Sequence, residues 1–461
     1  MQFYLVSLGC PKNEVDADNM AQLLHEAGHI VVEDPSEADI LIVNTCGFIS
    51  KAREESLGAS RELGLQKRDD QRLIAAGCFS QLYREHLLDL VPALDGLLGT
   101  RRWMEIDQLV EALEGAPESS SPLVVLDDPS PEAIAQVKGR VLRGDSLATA
   151  YLRIADGCNA PCAFCSIPQI KGPLQSRPVA DILREARHLV DRGAKELVII
   201  AQDTTAYGQD RGERDALPDL LTEILRTVPE LSWLRLMYAY PQNVTSRLIS
   251  TMAEDPRICH YLDLPLQHAH PETLRRMRRP HHVDQVRELL WSVRQAMPDI
   301  ALRTSLIVGY PGETEEEFAA LLDFVEGTAF DKVGVFVYSQ EAGTLAHDLP
   351  DQTPEALKEE RYNRLMALQQ DISRERHQAQ VGRTLDVLVE GTGEGLGIGR
   401  SYRDAPQVDG LVIFRGEPPI GEFVPVRITE GSEYDLTGTW LRRHSKRTPH
   451  SKGRMVSQQP R

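Results

Sequence analysis

The stretch Cys158-Asn159-Ala160-Pro161-Cys162-Ala163-Phe164-Cys165, within Asp156 to Ile170, decides how the rest of the chain is interpreted. Its cysteines follow the pattern Cys-x3-Cys-x2-Cys, which allows one tight loop to turn three sulfur atoms toward one centre. A structural zinc site would need a fourth ligand, but the next cysteine is Cys259 and no histidine stands near the loop. Three thiolates on an iron-sulfur cube leave one iron with an open position, where chemistry can occur. The alternative, three unrelated buried thiols, gives no reason for this spacing.

This spacing, with an aromatic residue just before the last cysteine, resembles the radical S-adenosylmethionine (SAM) superfamily. The resemblance implies a 4Fe-4S cluster on Cys158, Cys162 and Cys165. It also implies that SAM chelates the open iron and is cleaved reductively to a 5'-deoxyadenosyl radical. The motif indicates a reaction type without naming a substrate.

Three further cysteines lie in the N-terminal part, where short apolar runs alternate with helix-period segments. The alternation predicts an open, mostly parallel sheet with helices on both faces. Cys10, Cys46 and Cys78 each follow a predicted strand and each stands beside a glycine. Because ligands of such sheets bind at the carboxyl ends of the strands, we expect these thiols to lie together and hold a second cluster. Three unrelated buried thiols are the alternative.

The residues around these cysteines sharpen the resemblance. Gly9-Cys10-Pro11-Lys12-Asn13, Asn44-Thr45-Cys46 and Gly77-Cys78 are similar to the N-terminal domain of the methylthiotransferases. That domain carries an auxiliary 4Fe-4S cluster, which the resemblance assigns to Cys10, Cys46 and Cys78. The expected cofactors are therefore two 4Fe-4S clusters and SAM.

The central part repeats strand and helix six times, which predicts a partial (β/α)6 barrel rather than a closed barrel of eight. Barrel active sites lie at the carboxyl ends of the strands, so the residues there should line one mouth. By resemblance, we expect SAM to contact Gln202, Asp203 and the turn that contains Gly309, Gly312 and Glu313. A glycine-rich turn alone is weak support, because many such turns bind nothing.

Several polar residues of the barrel have structural explanations that we prefer. His268 and His270 could be an acid or base, but hydrogen-bonded loop residues are commoner at such positions. The arginines of the run Arg275 to Arg279 could contact RNA or phosphate, but a solvated helix face explains them more simply. Cys259 has no companion thiol and is interpreted as a structural residue that precedes a strand.

Five short strands with glycine turns follow a long polar helix and predict a small antiparallel β-barrel. The barrel resembles the TRAM domain, an oligonucleotide-binding-like module that is appended to methylthiotransferases. RNA binding requires a positive face, but this module has ten acidic residues against five arginines between His377 and Trp440. A basic tail, predicted to be disordered, follows and could touch ribosomal RNA. The predicted units are 1–115 with the auxiliary cluster, a connector at 116–144, the radical SAM core at 145–376, the TRAM domain at 377–441 and the tail at 442–461.

Composition limits where such a protein works. The 461 residues carry a net charge of −18 and are 41% hydrophobic, and no apolar run approaches the roughly 20 residues that span a bilayer. The N-terminal residues turn polar soon after Val6 and are interpreted as a strand rather than a signal peptide. Seven cysteines favour metal ligation in a reducing compartment over disulfides. We therefore expect a cytoplasmic protein that does not act at a membrane.

The resemblance to the methylthiotransferases extends over nearly the whole chain. Ser7 to Asn13, Ala163 to Pro168 and Tyr434 to Leu436 resemble the branch that adds a methylthio group to the β carbon of an aspartate in small-subunit ribosomal protein twelve. The expected partners are that ribosomal protein, free or within the subunit, a sulfur donor and an electron donor such as a flavodoxin or ferredoxin. An acidic module facing a basic ribosomal protein agrees with this choice. Two alternatives remain, a methylthiotransferase of transfer RNA adenosine (MiaB type) and an iron-sulfur redox sensor or RNA-binding module without turnover.

Overall fold

The protein is described by a computed structural model, which covers residues 1–117, 121–129 and 148–441. Most of the predicted connector and all of the predicted basic tail therefore lie outside the described residues. Three units follow one another along the chain, namely a parallel sheet with helices, a partial barrel and a small closed barrel.

The first unit is a parallel sheet of six strands in the order β2-β1-β3-β4-β5-β6. Every residue of β3 is buried, as expected for a β-branched strand covered on both faces. The predicted open α/β sheet is confirmed, and β6 adds an edge strand beyond residue 115. The strands are β1 Gln2–Ser7, β2 Ile30–Val31, β3 Ile40–Thr45, β4 Arg72–Gly77, β5 Gly96–Gly99 and β6 Leu123–Val125, and the α-helices are Pro11–Glu26, Ser50–Gln66, Cys78–Tyr83, His86–Leu90 and Ile106–Glu114.

The second unit is a six-stranded parallel sheet in the order β14-β13-β12-β11-β10-β7, and a short β8–β9 ladder lies at the cysteine loop. Among the described residues β14 and β7 are the two edges, so the sheet is a partial barrel, as predicted. The strands are β7 Thr149–Arg153, β8 Ala155–Asp156, β9 Gln175–Ser176, β10 Glu196–Ile200, β11 Trp233–Leu236, β12 Ile258–Asp263, β13 Ala301–Val308 and β14 Lys332–Val337. The α-helices are Ile167–Ile170, Val179–Asp191, Leu217–Thr227, Ser246–Glu254, Pro271–Arg276, Val283–Ala296, Glu315–Thr328 and Glu355–Gln378.

The third unit is a closed five-stranded barrel. It is antiparallel as predicted except at one pair, because β17 runs parallel to β19. Its apolar residues alternate inward along each strand and form a separate core. The strands are β15 Thr384–Gly393, β16 Leu396–Ser401, β17 Val412–Arg415, β18 Phe423–Gly431 and β19 Leu436–Trp440.

The small barrel closes the amino-terminal end of the larger one. Glu196 opens β10 and accepts hydrogen bonds from Arg235 and from Arg400 of the small barrel, both at 2.6 Å. The Trp233 ring, at the start of β11, packs edge-on against Phe423 with centroids 4.6 Å apart. The carboxyl ends of the strands, where the cysteine loop begins, are therefore left open to the N-terminal unit.

Cys259 lies inside β12, so the expectation that it precedes the strand was wrong. The misplacement arose because the polar His260 interrupts the apolar run and hides the first half of the strand. No helix in the described part of the chain is both long enough and apolar enough to cross a membrane.

Candidate active site

Hydrogen-bond donors point at all three sulfur atoms of the cysteine loop after β8. The backbone N–H of Ala160 donates to Cys158 Sγ at 3.4 Å, and that of Ile167 donates to Cys165 Sγ at 3.5 Å. The Arg279 guanidinium donates to Cys162 Sγ at 3.6 Å. Donors of this kind stabilise thiolates and the sulfurs of a cluster. The loop is thus built for negatively charged sulfur.

Burial works against ionised thiols in this loop. It raises the pKa of Cys158, and it raises the pKa of Cys165 to about 12. A bound metal reverses this balance, because metal ligation releases the thiol proton. The chemistry of this donor set therefore fits a cation-rich centre rather than three free thiols.

The three N-terminal cysteines follow β1, β3 and β4, at the carboxyl edge of the first sheet. Gly9, at φ +96°, packs against the Cys46 side chain so closely that a Cβ would overlap it. Gly77, at φ +97°, lies against the Thr45 backbone and allows Cys78 to start a helix there. The glycines expected beside the cysteines are therefore required by close backbone approach.

Asn13 ties the loops of this second site together. Its side-chain amide donates to the carbonyls of Leu8 and Thr45 at 2.8 and 2.9 Å, while its Oδ1 accepts from Cys78 Sγ at 3.4 Å. Burial raises the pKa of both Cys46 and Cys78, and the electrostatic effect of the nearby Cys10 raises both further. The three thiols are thus within electrostatic reach of one another.

Cysteine is free at all seven positions of the chain. Within the described ranges, no three His, Cys, Asp or Glu side chains converge closely enough to hold a single metal ion. Thiolates on separate corners of an iron-sulfur cube lie further apart than thiolates around one ion.

Buried ion pairs join the N-terminal sheet unit to the barrel unit that carries the cysteine loop. Asp16, on the first helix, accepts from Arg153 at 2.5 Å and from Lys171 at 2.8 Å, both in the barrel unit. Burial disfavours the charged form of Lys171, but the carboxylates of Asp156 and Asp16 outweigh it and raise the pKa of Lys171. This buried network holds the cysteine loop beside the N-terminal unit.

Lys12 crosses the same interface. Its ammonium donates to the Ala201 carbonyl at 3.3 Å and lies 3.3 Å from the centroid of the Tyr238 ring. Burial lowers the pKa of Lys12, and the neighbouring Cys10 opposes this effect. Sequence reasoning missed Lys12 as a functional candidate, although it stands inside the quoted Gly9 to Asn13 motif.

Two of the residues expected at SAM lie at the end of β10, beside the cysteine loop. Gln202 Oε1 is buried and has no hydrogen-bond partner among the described residues, which is the condition of a polar atom that awaits a ligand. The Asp203 carboxylate caps the turn Thr204–Ala206 and accepts from Asn243 at 3.1 Å. Burial raises the pKa of Asp203.

The other three residues expected at SAM, Gly309, Gly312 and Glu313, lie in the turn before helix Glu315–Thr328. Both glycines of this turn have positive φ. Glu313 Oε2 accepts from the backbone N–H groups of Gly309 and Tyr310 at 3.0 and 3.3 Å, and its Oε1 accepts from Arg361 at 2.7 Å. Glu313 therefore shapes this turn from behind. A contact between the turn and SAM would come from the backbone and the glycine faces.

Arg279 does not lie on the solvated face that the sequence predicts for its arginine run. It is 7% exposed, its guanidinium stacks 4.3 Å from the Tyr240 ring centroid, and it reaches Cys162. The expected solvated face holds for Arg275, which pairs only with the exposed Glu272. His268 is buried, its Nδ1 accepts from the backbone N–H of His270 at 3.0 Å, and its Nε2 lies 3.5 Å from Glu313 Oε2.

Comparison with known families divides the chain as the structure does. The family described as uncharacterized protein family UPF0004 matches residues 2–99, the radical SAM superfamily matches 152–325 and the TRAM domain matches 381–441. The structure of the radical S-adenosylmethionine methyltransferase TsrM from Kitasatospora setae, with cobalamin and a 4Fe-4S cluster bound, superimposes with a TM-score of 0.57. That likeness covers 88% of this chain and 82% of TsrM at 16% identity, and it concerns the fold alone.

Similarity to curated proteins extends over almost the entire chain. A Chloroflexus aurantiacus protein is 48% identical over 455 residues, covering 96% of this chain and 100% of the relative. A Geobacter sulfurreducens protein is 44% identical over 443 residues, covering 94% of this chain and 97% of the relative. Both carry the name ribosomal protein uS12 methylthiotransferase RimO. At this identity and coverage, the chain belongs to the RimO family of radical SAM methylthiotransferases.

Proposed function

We propose that this protein adds a methylthio group to the β carbon of an aspartate of ribosomal protein uS12, using SAM and two 4Fe-4S clusters. The proposal rests on the positions of two sets of three cysteines, because buried ion pairs join the unit that carries Cys10, Cys46 and Cys78 to the barrel unit that carries Cys158, Cys162 and Cys165. One site opens into the barrel mouth and the other lies at the sheet edge, with Lys12 and the Asp16 network between them. An enzyme that only generates a radical from SAM would need only the cysteines at the barrel mouth.

Each cluster has a defined set of proposed ligands. Cys158, Cys162 and Cys165 would hold the cluster that binds SAM, and Cys10, Cys46 and Cys78 would hold the auxiliary cluster. When bound, these groups would supply the electron that cleaves SAM and the sulfur that is transferred. An electron donor such as a flavodoxin or ferredoxin, and a sulfur donor, are the further partners that this chemistry requires.

The residues around the sites have separate tasks in this proposal. Gln202 would bind SAM through its unpartnered Oε1, and Gly309 and Gly312 would let the backbone of the turn approach the ligand. Asp203 and Glu313 would position these groups, because their carboxylates are already engaged within the protein. Arg279 would stabilise the negatively charged sulfur of Cys162.

Surface charge supports a protein substrate over RNA. Of the five arginines in the small barrel, Arg400 and Arg403 are buried against the larger barrel. Acidic side chains remain exposed around the same module, at Asp386, Glu390, Glu394, Glu417, Glu422 and Glu430. A surface of this sign attracts a basic partner and repels phosphate. We place the reaction in the reducing cytoplasm, where the seven cysteines stay free for metal.

Mass spectrometry separates this function from the alternatives. The protein, reconstituted anaerobically with iron, sulfide, SAM and reductant, should convert uS12 to a product in which one methylthio group replaces hydrogen on an aspartate. Cys46→Ala and Cys158→Ala should abolish the product, whereas Cys259→Ala, which removes the seventh cysteine, should retain it. A thiomethylated adenosine in transfer RNA with unmodified uS12 would refute the proposal. Absence of 5'-deoxyadenosine would favour a binding protein without turnover.

A further inference from the structure

Lys12 leaves its own unit and ends between the two cysteine sites. It stands in the first turn of the helix that begins directly after Cys10, yet its ammonium reaches the end of β10 at Ala201. The Tyr238 ring lies beneath it at the end of β11. Lys12 is therefore a cation held at the point where the sheet edge meets the barrel mouth.

The ammonium has no carboxylate partner within ion-pair distance among the residues that the structure describes. The nearby Asp156 is shared by Lys171 at 3.4 Å and Arg153 at 3.6 Å. Asp263 accepts from Arg303 at 2.7 Å and from the backbone N–H of Tyr238 at 3.0 Å. One carbonyl and one ring face leave part of the donor capacity of an ammonium unused. A partly buried cation in this state is completed by an anionic ligand.

Tyr238, whose ring lies against the Lys12 ammonium, has an uncommon backbone conformation. Tyr238 has φ +60°, a left-handed value that is unfavourable for a side chain of this size. Its backbone N–H is held by Asp263, which keeps the ring under the ammonium. Backbone conformations of this kind concentrate at ligand-binding positions.

We infer that Lys12 binds the side-chain carboxylate of the aspartate that receives the methylthio group. This inference rests on the proposed function and adds the residue that selects the substrate. The carboxylate is one bond from the β carbon, so anchoring it at Lys12 positions that carbon between Cys10 on one side and the barrel mouth on the other. An adenine base has no anionic group to offer at this point. Lys12 thus favours an aspartate over a nucleobase.

Binding measurements on the reconstituted protein test the inference without requiring turnover. The probes are uS12 and a uS12 variant whose target aspartate is asparagine. The wild-type protein should bind the aspartate form about ten- to a hundredfold more tightly, the range of a hydrogen bond to a charged group. Lys12→Met, which retains length but not charge, should bind both forms equally. Lys12→Arg should restore most of the preference, and Lys51→Met, a change at an exposed lysine, should leave it unchanged.

Two results would overturn the inference. One is a preference for aspartate that persists in Lys12→Met or is absent from the wild type. The other is a loss of iron and sulfide from both Lys12→Met and Lys12→Arg, which would assign the lysine to the auxiliary cluster. If uS12 itself is neither bound nor modified by the wild-type protein, the proposed function fails first, and the inference fails with it.

Discussion

Replacing Glu196 with glutamine tests whether the small barrel is a fixed part of the catalytic unit. Glu196 is fully buried and pairs at 2.6 Å with Arg235 and with Arg400 of the small barrel. Burial alone would raise the pKa of Glu196, but the two guanidiniums outweigh it and lower the pKa from 4.5 to about 2. A difference of this size corresponds to about 3 kcal/mol of stability at neutral pH. The value agrees with the roughly 3–5 kcal/mol that breaking a buried ion pair costs.

We expect Glu196→Gln to lower the free energy of unfolding by about 3 kcal/mol at pH 7. Urea unfolding can be followed through the fluorescence of Trp233, which packs against Phe423 at this interface, once the other three of the four tryptophans are replaced by phenylalanine. The matched control is Glu390→Gln, because Glu390 also pairs with Arg400 at 2.7 Å but is partly exposed. Solvent screening should limit its effect to about 1 kcal/mol or less.

The pH dependence of the stability difference between wild type and Glu196→Gln provides a second test. The carboxylate of Glu196 is favoured in the folded protein, so its contribution is complete above the unfolded pKa of 4.5 and is lost as the pH falls toward 2. The difference between wild type and Glu196→Gln should therefore shrink over that interval. A Glu196→Gln variant within 1 kcal/mol of wild type at pH 7, or a difference that grows on acidification, would refute the reasoning.

Three further predictions concern single residues. Gly77→Ala should reduce iron incorporation at the N-terminal site by more than half. The φ of Gly77 is +97°, and the adjacent Thr45 backbone leaves no room for a Cβ. Iron analysis in a Cys158→Ala background measures the iron that remains at this site. Cys259 should resist alkylation at pH 8 in the folded protein, since burial raises its pKa to about 12, and rapid labelling would contradict that placement. Arg279→Met should lower the reduction potential of the cluster at the barrel site, because the change removes a hydrogen bond and a positive charge from the Cys162 sulfur. An unchanged potential in an EPR redox titration would rule out this role of Arg279.

Local sequence was sufficient to predict the three kinds of unit and to place Cys10, Cys46 and Cys78 after strands of the first sheet. Strand periodicity identified the carboxyl ends where Cys10, Cys46 and Cys78 lie, and parallel topology then requires those ends to share an edge. The loop from Cys158 to Cys165 carries its geometry in its own spacing. These features depend on neighbours in the chain or on the regular geometry of a sheet.

Contacts between residues far apart in the sequence were not predictable in this way. Arg279 lies 117 residues from Cys162, and a run of arginines that starts at the end of a short helix gives no local sign that one of them turns inward. Lys12 reaches the barrel mouth only because the first helix packs beside Ala201 and Tyr238. Such contacts depend on tertiary packing, which hydrophobic periodicity does not encode.

Mössbauer spectroscopy of the reconstituted protein and its cysteine variants tests the central claim, that two separate clusters face each other across one interface. The wild type and Cys259→Ala should each contain two 4Fe-4S clusters. Cys158→Ala and Cys46→Ala should each retain one, with different spectra, and the double variant should retain none. If both single variants lost the same cluster, or if neither lost any, the two-site account would be contradicted.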